Sequence, residues 1–449
     1  MSRLGMQRCL AEVRGAQLMQ RLGRVSQFFG LVVESVGPDA FVGEVCEIHS
    51  RAHDRPVMAE VLGLKDGKVL LMPYDDLKGV SLGCQVVATG KAAYTPVGEA
   101  LLGRVVDAFG APLDGSPIKA QLEQYPLRPA PINPLERARV CAVLETGVRA
   151  IDCLFTLGRG QRVGIFAGSG VGKSTLLGMI ARNTEADVNV ITLVGERGRE
   201  VREFIEDTLG THMQKSVAVV ATSDESPMLR KMAPLSAITI AEHFRDQGDN
   251  VLLIVDSVTR FAHAIREVAT ASGEPPIARG YPASVFTELP RLLERAGPGP
   301  EGTGTITAII SILVDGDNHN DPIADSTRGI LDGHIVLQRS LAEEGRYPPI
   351  DPLASISRLA RKAWTPDQEK LVSRLKALVH RYEETRDLRL IGGYRQGADP
   401  DLDIAVRQVP IIYEILKQTP GERPSADAFT DLATALKNAS AGAVPVRGK

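Results

Sequence analysis

The stretch Ile165-Phe166-Ala167-Gly168-Ser169-Gly170-Val171-Gly172-Lys173-Ser174-Thr175 decides the architecture of this 449-residue chain. The mostly apolar residues 162–166 predict a β-strand, and residues 175–181 predict a helix. Closely spaced glycines let the backbone curl so that successive N–H groups point at one anion. The helix that follows adds the partial positive charge of its N-terminus. Strand, glycine-rich turn and helix together predict a phosphate-binding loop.

The residues of this loop have different roles in a predicted nucleotide site. Lys173 is long enough to reach the β- and γ-phosphates of ATP, and the Ser174 hydroxyl can ligate the Mg²⁺ that accompanies them. Ala167 stands where such loops usually have glycine, but the later glycines provide the tight curvature. The predicted cofactors are therefore ATP and Mg²⁺, and the predicted nucleotide-binding residues of the loop are Gly168, Ser169, Gly170, Val171, Gly172, Lys173, Ser174 and Thr175.

Two acidic residues follow apolar segments further along the chain. Asp256 ends the predicted strand 251–255, where a carboxylate can hold magnesium, usually through water. Glu196 follows the predicted strand 190–194, which we expect to lie beside the loop strand, at the edge where open α/β sheets bind ligands. A carboxylate there can orient the water that attacks the γ-phosphate. The competing interpretation is that Glu196 pairs with Arg197 or Arg199 at the surface.

Composition narrows the class of protein. The 52 basic and 55 acidic residues leave a net charge of −3, which weighs against a nucleic-acid-binding protein. The five cysteines are scattered and odd in number, as expected for a reduced cytosolic protein. We find no apolar stretch near the roughly 20 residues that span a bilayer, and we expect no signal peptide.

The pattern along the chain predicts an α/β protein. Residues 1–24 form a basic segment with apolar residues near helical spacing, which suits a partner protein or an anionic membrane surface, although a solvated tail has the same spacing. Short strands and turns over 25–93 predict a small β-barrel. Residues 94–364 predict a P-loop ATPase domain with a parallel sheet covered by helices on both faces. Residues 365–449 predict a helical C-terminal domain.

The predicted sheet and helices have definite positions in the sequence. The strands of the sheet are expected at 163–166, 188–194, 217–221, 251–255 and 305–314. The C-terminal helices are expected at 371–382, 402–416 and 426–436. Prolines within 126–134 predict an extended connector before the sheet.

Several motifs together resemble the rotary ATP synthase catalytic subunit and its secretion relatives. They are the loop itself, Gly195-Glu196-Arg197-Gly198-Arg199-Glu200, Asp256-Ser257-Val258-Thr259-Arg260 and Ser355-Ile356-Ser357-Arg358. The chain is most similar to the type III protein export ATPases, flagellar or injectisome, from about residue 25 to about residue 436. The resemblance implies a RecA-like nucleotide-binding domain and a homohexamer with sites between neighbouring subunits.

The resemblance also implies roles for individual residues. Glu196 would be the water-activating base, and Arg197 of the same motif is a further candidate catalytic residue. Arg260 would support the γ-phosphate side, whereas Arg358 would be inserted into the site from the adjacent subunit. Tyr347 would stack on the adenine, although a tyrosine before two prolines is also common as a packed loop residue.

The family resemblance implies a set of partners. They are export substrates and chaperones at the helical C-terminal domain, a central stalk protein, the export gate, and a stator-like regulatory protein at the N-terminus. It implies work at the cytoplasmic face of the inner membrane, with peripheral membrane contact possible. The segment 392–400 lacks the acidic run with which the synthase subunit touches its rotor, and this favours a secretion ATPase. Between the two secretion systems we favour the flagellar one.

The sequence leaves two other functions to be considered. An RNA-translocating termination factor would need a nucleic-acid-binding barrel rich in exposed aromatic and basic residues, and 25–93 has few aromatics. A non-catalytic nucleotide-binding ring subunit would not need Lys173, Glu196 and Arg358 together. The sequence therefore favours an active ATPase without a nucleic-acid partner.

Overall fold

The computed structural model describes residues 22–50, 55–140, 142–314, 321–422, 425 and 427–441. The predicted basic segment 1–24 lies outside this part of the chain, except for its last three residues, which begin the first strand. The chain forms two compact units. The first consists of residues up to 93 together with 226–229 and 267–275, and the second contains the rest.

The first unit contains the predicted barrel. Within the described residues, six antiparallel strands close in the order β1-β2-β5-β4-β3-β6, and β6 pairs back onto β1. Alternate residues such as Val33, Cys46 and Leu71 point inward and are completely buried, so the hydrophobic residues of one strand face fill the barrel. The strands are β1 (Leu22–Phe29), β2 (Val32–Val36), β3 (Glu44–His49), β4 (Val57–Lys65), β5 (Lys68–Pro73) and β6 (Gln85–Ala92).

The second unit is built on a mostly parallel sheet, as the sequence predicts. In the described chain its order is β21-β20-β12-β19-β15-β13-β14-β8, with β18 paired to β19. All pairs from β20 to β8 along this order are parallel. The central strands are β12 (Arg162–Ala167), β13 (Val188–Val194), β14 (Ser216–Ala221), β15 (Asn250–Asp256) and β19 (Thr305–Leu313), which confirms the five predicted strands to within one or two residues at each end.

The remaining strands of the second unit are short. They are β7 (Tyr94–Val97), β8 (Val105–Val106), β9 (Glu123–Pro126), β10 (Val143–Leu144), β11 (Leu157–Gly158), β16 (Pro276–Ala278), β17 (Tyr281–Pro282), β18 (Gly297–Pro298), β20 (Gly333–Leu337) and β21 (Ile356–Ser357). After β9 the proline-rich residues up to 134 form no helix or strand, in agreement with the predicted extended connector.

Helices connect and cover the strands. The first seven are α1 (Arg149–Leu154), α2 (Lys173–Asn183), α3 (Gly198–Glu203), α4 (Pro227–Asp246), α5 (Val258–Ala271), α6 (Ala283–Leu293) and α7 (Pro322–Ile330). A π-helical turn (Phe204–Leu209) and a 3-10 turn (Gly210–Lys215) follow α3, and a further 3-10 turn spans Glu99–Leu101. The described helices include none that is both long enough and apolar enough to cross a bilayer.

The helical C-terminal region packs against the sheet of the same unit. It contains α8 (Arg339–Glu343), α9 (Ala360–Ala363), α10 (Pro366–Glu384), α11 (Arg386–Leu390), α12 (Pro400–Leu416) and α13 (Ala428–Ala441), of which α10, α12 and α13 confirm the three predicted helices. Thr365 begins α10 with a capping box that it shares with Gln368. Val372 and Val409 belong to the same buried cluster as Ile165 of the loop strand, so these helices share its hydrophobic core.

One prediction about the sheet is wrong. The strand that leads to Glu196, β13, does not lie beside the loop strand β12, because β19 and β15 stand between them. Both edges of β12 are occupied, by β19 and β20. All seven residues of β13 are buried, so its apolar sequence is compatible with any interior position. A helical crossover is also long enough to pass over two strands, and nothing in β13 marks its neighbours.

The close packing of β12 gives the first prediction. A Cβ atom at Gly164 would lie 2.6 Å from the Phe166 ring and 2.8 Å from Leu331. Both side chains are almost fully buried and cannot withdraw. We expect Gly164→Ala to lower the apparent melting temperature by roughly 3 to 10 °C in calorimetry, because overpacking strains the sheet.

The matched control is Gly329→Ala in α7 of the same unit. Gly329 has open space around its Cβ position, and alanine is the better helix former. We expect an unchanged or slightly higher melting temperature for this variant. Equal melting temperatures for Gly164→Ala and the parent protein would contradict the packing described for β12.

Candidate functional site

The predicted phosphate loop occupies the turn between β12 and α2. The loop strand ends at Ala167, and α2 begins at Lys173. Gly170 and Gly172 have φ angles of 78° and 92°, a region that strongly favours glycine. Gly172 is the N-cap of α2 and has no side chain to cap it, so the free N–H groups of the first turn are available to an anion. Ser169, Ser174 and Thr175 are exposed at the loop.

Lys173 is the centre of a three-residue charge cluster. Its ammonium group forms a very short hydrogen bond with the carboxylate of Asp256 and lies 3.7 Å from Oε1 of Glu196. The side chains of Lys173 and Asp256 are buried, with exposed fractions of 10% and 3%, and that of Glu196 is exposed by 20%. The three predicted residues are thus brought together, because β13 and β15 are neighbours and both end beside the loop.

The carboxyl group of Glu196 has an unusually high pKa. Burial raises the pKa of its carboxyl to about 7, and the nearby carboxylates of Asp256 and Glu200 act in the same direction. Lys173 opposes the shift of this pKa but does not cancel it. The interpretation of Glu196 as a partner of surface arginines is wrong: Arg197 lies 3.9 Å from Glu200, and Arg199 lies 3.4 Å from Glu203.

The carboxylate of Asp256 has a second partner, which the sequence analysis missed. The hydroxyl of Ser311 on β19 donates a 2.6 Å hydrogen bond to Oδ1 of Asp256. Ser311 is completely buried. The only sequence signal was a serine among the isoleucines in the second half of β19. Arg339 was also missed: its Nη2 donates a 3.0 Å hydrogen bond to the Ser169 carbonyl, and no local pattern indicates a contact over that sequence distance.

The predicted arginines Arg197 and Arg260 are exposed residues at the same end of the sheet. The stem of Arg260 lies against Gly195, where a Cβ atom would approach its Cγ to 3.0 Å. Gly195 has a φ angle of 69° and immediately precedes Glu196. The glycine therefore allows the chain to turn sharply beneath Arg260 before the acidic residue.

Tyr347 lies next to the phosphate loop. A Cβ atom at Gly172 would be 3.8 Å from its ring, and half of the tyrosine surface is exposed. The tyrosine lines a small cleft with Leu154, Tyr413 and Leu416. Its ring therefore offers a face to solvent next to the predicted phosphate site.

Arg358 is not near the other predicted residues. Its backbone N–H donates to the carbonyl of Asp332, and the N–H of Asp332 donates to the carbonyl of Arg162, at the start of β12. Arg358 is therefore level with the amino end of β12, whereas the loop follows its carboxyl end, roughly 16 Å away. Its guanidinium donates a 3.4 Å hydrogen bond to the carbonyl of Arg328 and forms no ion pair with any acid of the described chain.

Comparison with protein-family models divides the chain into three matched regions. Residues 25–90 match the β-barrel domain of the ATP synthase alpha/beta family, and residues 147–357 match the nucleotide-binding domain of that family. Residues 364–436 match the C-terminal domain of the type III secretion ATPase EscN. Together the three matches contain every predicted site residue except Arg358, which directly follows the second matched region.

Sequence comparison with individual proteins leads to the same family. The flagellum-specific ATP synthase of Agrobacterium fabrum is 68% identical over 86% of this chain and 82% of that protein. The flagellum-specific ATP synthase of Salmonella typhimurium is 48% identical over 90% of this chain and 91% of that protein. The type 3 secretion system ATPase of Xanthomonas euvesicatoria is 45% identical over 93% of this chain and 94% of that protein.

Solved structures extend the likeness to the fold. The assembled ATPase EscN of the enteropathogenic E. coli type III secretion system superposes with a TM-score of 0.87 and 42% identity, over 92% of this chain and 100% of that one. EscN in complex with its central stalk EscO gives a TM-score of 0.83 and 40% identity, with the same coverage. This chain is an ATPase that belongs to the ATP synthase alpha/beta family, in the branch of the flagellum-specific and type III secretion enzymes.

Proposed function

We propose that the chain hydrolyses magnesium-bound ATP in a homohexameric ring, at sites shared between neighbouring copies, and that this ring serves the flagellar export apparatus. The observation that carries the proposal is the division of the candidate residues. Lys173, Glu196 and Asp256 cluster at the carboxyl end of the sheet, and Arg358 lies at the other end of the same strands.

The phosphate loop would bind the triphosphate of ATP. Backbone N–H groups of 168–175 would surround the phosphate oxygens, and the ammonium of Lys173 would bridge the β- and γ-phosphates. Lys173 is bonded to Asp256 in the structure, so phosphate would compete with a carboxylate for the same ammonium group. The arriving anion would therefore release Asp256 from its strongest partner.

The residues beside the loop fit a magnesium ion. Mg²⁺ prefers oxygen ligands and keeps several waters, and it is commonly held by one or two carboxylates together with substrate phosphates. The Ser174 hydroxyl is exposed at the start of α2, and Asp256 ends the strand two positions from β12 in the sheet. When bound, the ion would neutralise charge on the β- and γ-phosphates.

Glu196 would act as the general base toward the attacking water. Its raised pKa suits this role, because a carboxylate with a pKa near 7 accepts a proton readily at neutral pH. Arg260 and Arg197 lie at the same rim, where their cations would support the γ-phosphate. Tyr347 would place its exposed ring against the adenine base.

Arg358 would complete the site of the next copy in the ring. It cannot reach the loop of its own chain, since the strand between them is longer than an extended arginine side chain. Its exposed guanidinium forms no ion pair within the described chain, so it is available to an anion on another copy. The terminal phosphate on the neighbouring copy would supply that anion.

The assignment to the flagellar apparatus rests on sequence identity to the relatives. Identity to flagellum-specific enzymes reaches 68%, whereas the secretion ATPase of Xanthomonas is 45% identical. The EscN complex with EscO is the model for a central stalk protein in this system. Export substrates, chaperones, an export gate, a stator-like regulatory protein at the N-terminus and a cytoplasmic location at the membrane export apparatus complete the proposal.

The pH dependence of ATP hydrolysis tests the role of Glu196. The carboxyl acts as a base only when ionised, so kcat/KM should fall by about tenfold per pH unit below about pH 7. Glu196→Gln should lower turnover by about 100-fold or more at pH 8 and should remove the acidic limb that Glu196 causes, because no base is left. The charged groups that face Glu196 are Lys173, Asp256 and Glu200.

Glu200→Gln is the matched control for the pH profile. Glu200 raises the pKa of Glu196, so its neutralisation should move the acidic limb of kcat/KM to lower pH while turnover at pH 8 stays close to the parent value. The terminal phosphate of ATP titrates in the same range in both enzymes, so the difference between the two profiles isolates the protein group. Identical profiles, or normal turnover in Glu196→Gln, would exclude Glu196 as the base.

Mixed rings test whether Arg358 acts on the neighbouring copy. Arg358→Ala should reduce turnover by about 1,000-fold while nucleotide affinity changes little, the scale of such arginines elsewhere. Mixing Arg358→Ala with Glu196→Gln copies should restore part of the activity, because some interfaces then pair an intact Glu196 with an intact Arg358. The measurement is phosphate release after co-assembly of the two purified variants.

The control mixes Lys173→Ala with Glu196→Gln. Both substitutions damage the same half of the shared site, so no interface is repaired and activity should stay at the mutant level. Absence of recovery with Arg358→Ala, in rings shown by native mass spectrometry to contain both variants, would mean that Arg358 does not act between copies.

A further inference from the structure

We propose that Ser311 is a positioning residue for magnesium binding: its hydroxyl fixes the carboxylate of Asp256 so that the second carboxylate oxygen faces the metal. The inference rests on the proposed function, because it assigns a role toward the ion that accompanies ATP. It concerns a residue on β19, which is neither part of the phosphate loop nor part of the strand that carries Asp256.

Ser311 is placed by the centre of the sheet. It pairs with Ile165 of β12 on one side of β19, and on the other side its neighbour Ile310 pairs with Val255, the residue before Asp256. The surrounding residues of β19 are apolar and buried. Burying a hydroxyl costs free energy unless it forms a hydrogen bond, and here the acceptor is a carboxylate.

The hydrogen bonds of Asp256 divide between its two oxygens. Both Lys173 and Ser311 donate to Oδ1, and no residue of the described chain donates to Oδ2. The side chain of Asp256 is only 3% exposed. Oδ2 is therefore the oxygen left for a metal ion or for a water bound to it.

ATP makes the serine more important than it is in the free protein. When the phosphates attract the ammonium of Lys173, Oδ1 loses its cationic partner, and Ser311 becomes the remaining protein donor to it. Without the hydroxyl, the carboxylate would turn or recruit water, and its orientation toward the ion would no longer be fixed. Residues that orient metal-binding groups commonly change metal affinity by about 10- to 100-fold when they are replaced.

The test measures binding without turnover. A fluorescent ATP analogue is titrated into the full-length protein with excess Mg²⁺ and again with EDTA. The ratio of the two dissociation constants gives the magnesium-dependent gain in affinity for the analogue. In Ser311→Ala we expect affinity in EDTA within about twofold of the parent protein and a gain reduced by about 10-fold. Ser311→Thr keeps a hydroxyl and should recover most of the gain.

Thr192→Val is the matched control. Thr192 lies on β13, is completely buried, and its hydroxyl has no hydrogen-bond partner among the described residues. The substitution removes a buried hydroxyl from the same sheet without touching Asp256, so the magnesium-dependent gain should remain at the parent value. A loss in Thr192→Val equal to that in Ser311→Ala would overturn the proposal, because the effect would then come from general disturbance of the sheet.

Asp256→Asn separates this inference from the proposed function. If Asp256→Asn loses the gain and Ser311→Ala keeps it in full, the inference about Ser311 is wrong and the magnesium site stands. If the parent protein and Asp256→Asn bind the analogue equally well with and without Mg²⁺, the magnesium site itself is wrong, and the role of Ser311 falls with it. A reduced gain in Ser311→Ala with recovery in Ser311→Thr supports the inference.

Discussion

The ammonium group of Lys173, held between the carboxylates of Asp256 and Glu196, is the interaction on which the site depends. It sits at the start of α2, beside the ends of the neighbouring strands β13 and β15. Burial keeps the pKa of Glu196 high, and the second acid of the cluster, Asp256, acts in the same direction against the effect of Lys173. An arriving triphosphate would take the place of Asp256 beside the ammonium of Lys173, so charge would couple substrate binding to assembly of the proposed metal site.

The sequence predicted the loop, the barrel and the strands of the sheet well, because each has a local signature. Closely spaced glycines between an apolar run and a helical segment indicate the loop, and uninterrupted apolar runs such as that of β13 indicate strands of a buried parallel sheet. The order of the strands could not be predicted from the sequence, because β13 has the same apolar character as its neighbours. Ser311 and Arg339 were missed for a related reason: their contacts with Asp256 and Ser169 connect residues far apart in sequence.

The parallel sheet also separates two halves of the proposed chemistry. Every strand from β20 to β14 ends at the edge that carries the loop, so residues at their carboxyl ends meet one another. Arg358 follows β21, which runs antiparallel to β20, and so it emerges at the opposite edge. The topology thus places Arg358 of each copy away from the phosphate loop of its own chain, and in the proposed closed ring of identical copies the loop of a neighbouring copy would be within its reach.

The most direct test of this account is the structure of the assembled protein with Mg²⁺, ADP and aluminium fluoride, determined by cryo-electron microscopy. We expect the Arg358 guanidinium of one copy to lie within about 3 Å of the aluminium fluoride that replaces the γ-phosphate at Lys173 of the next copy, and far from the nucleotide of its own chain. An Arg358 that contacts no nucleotide in any copy, or that reaches the loop of its own chain, would contradict the shared site.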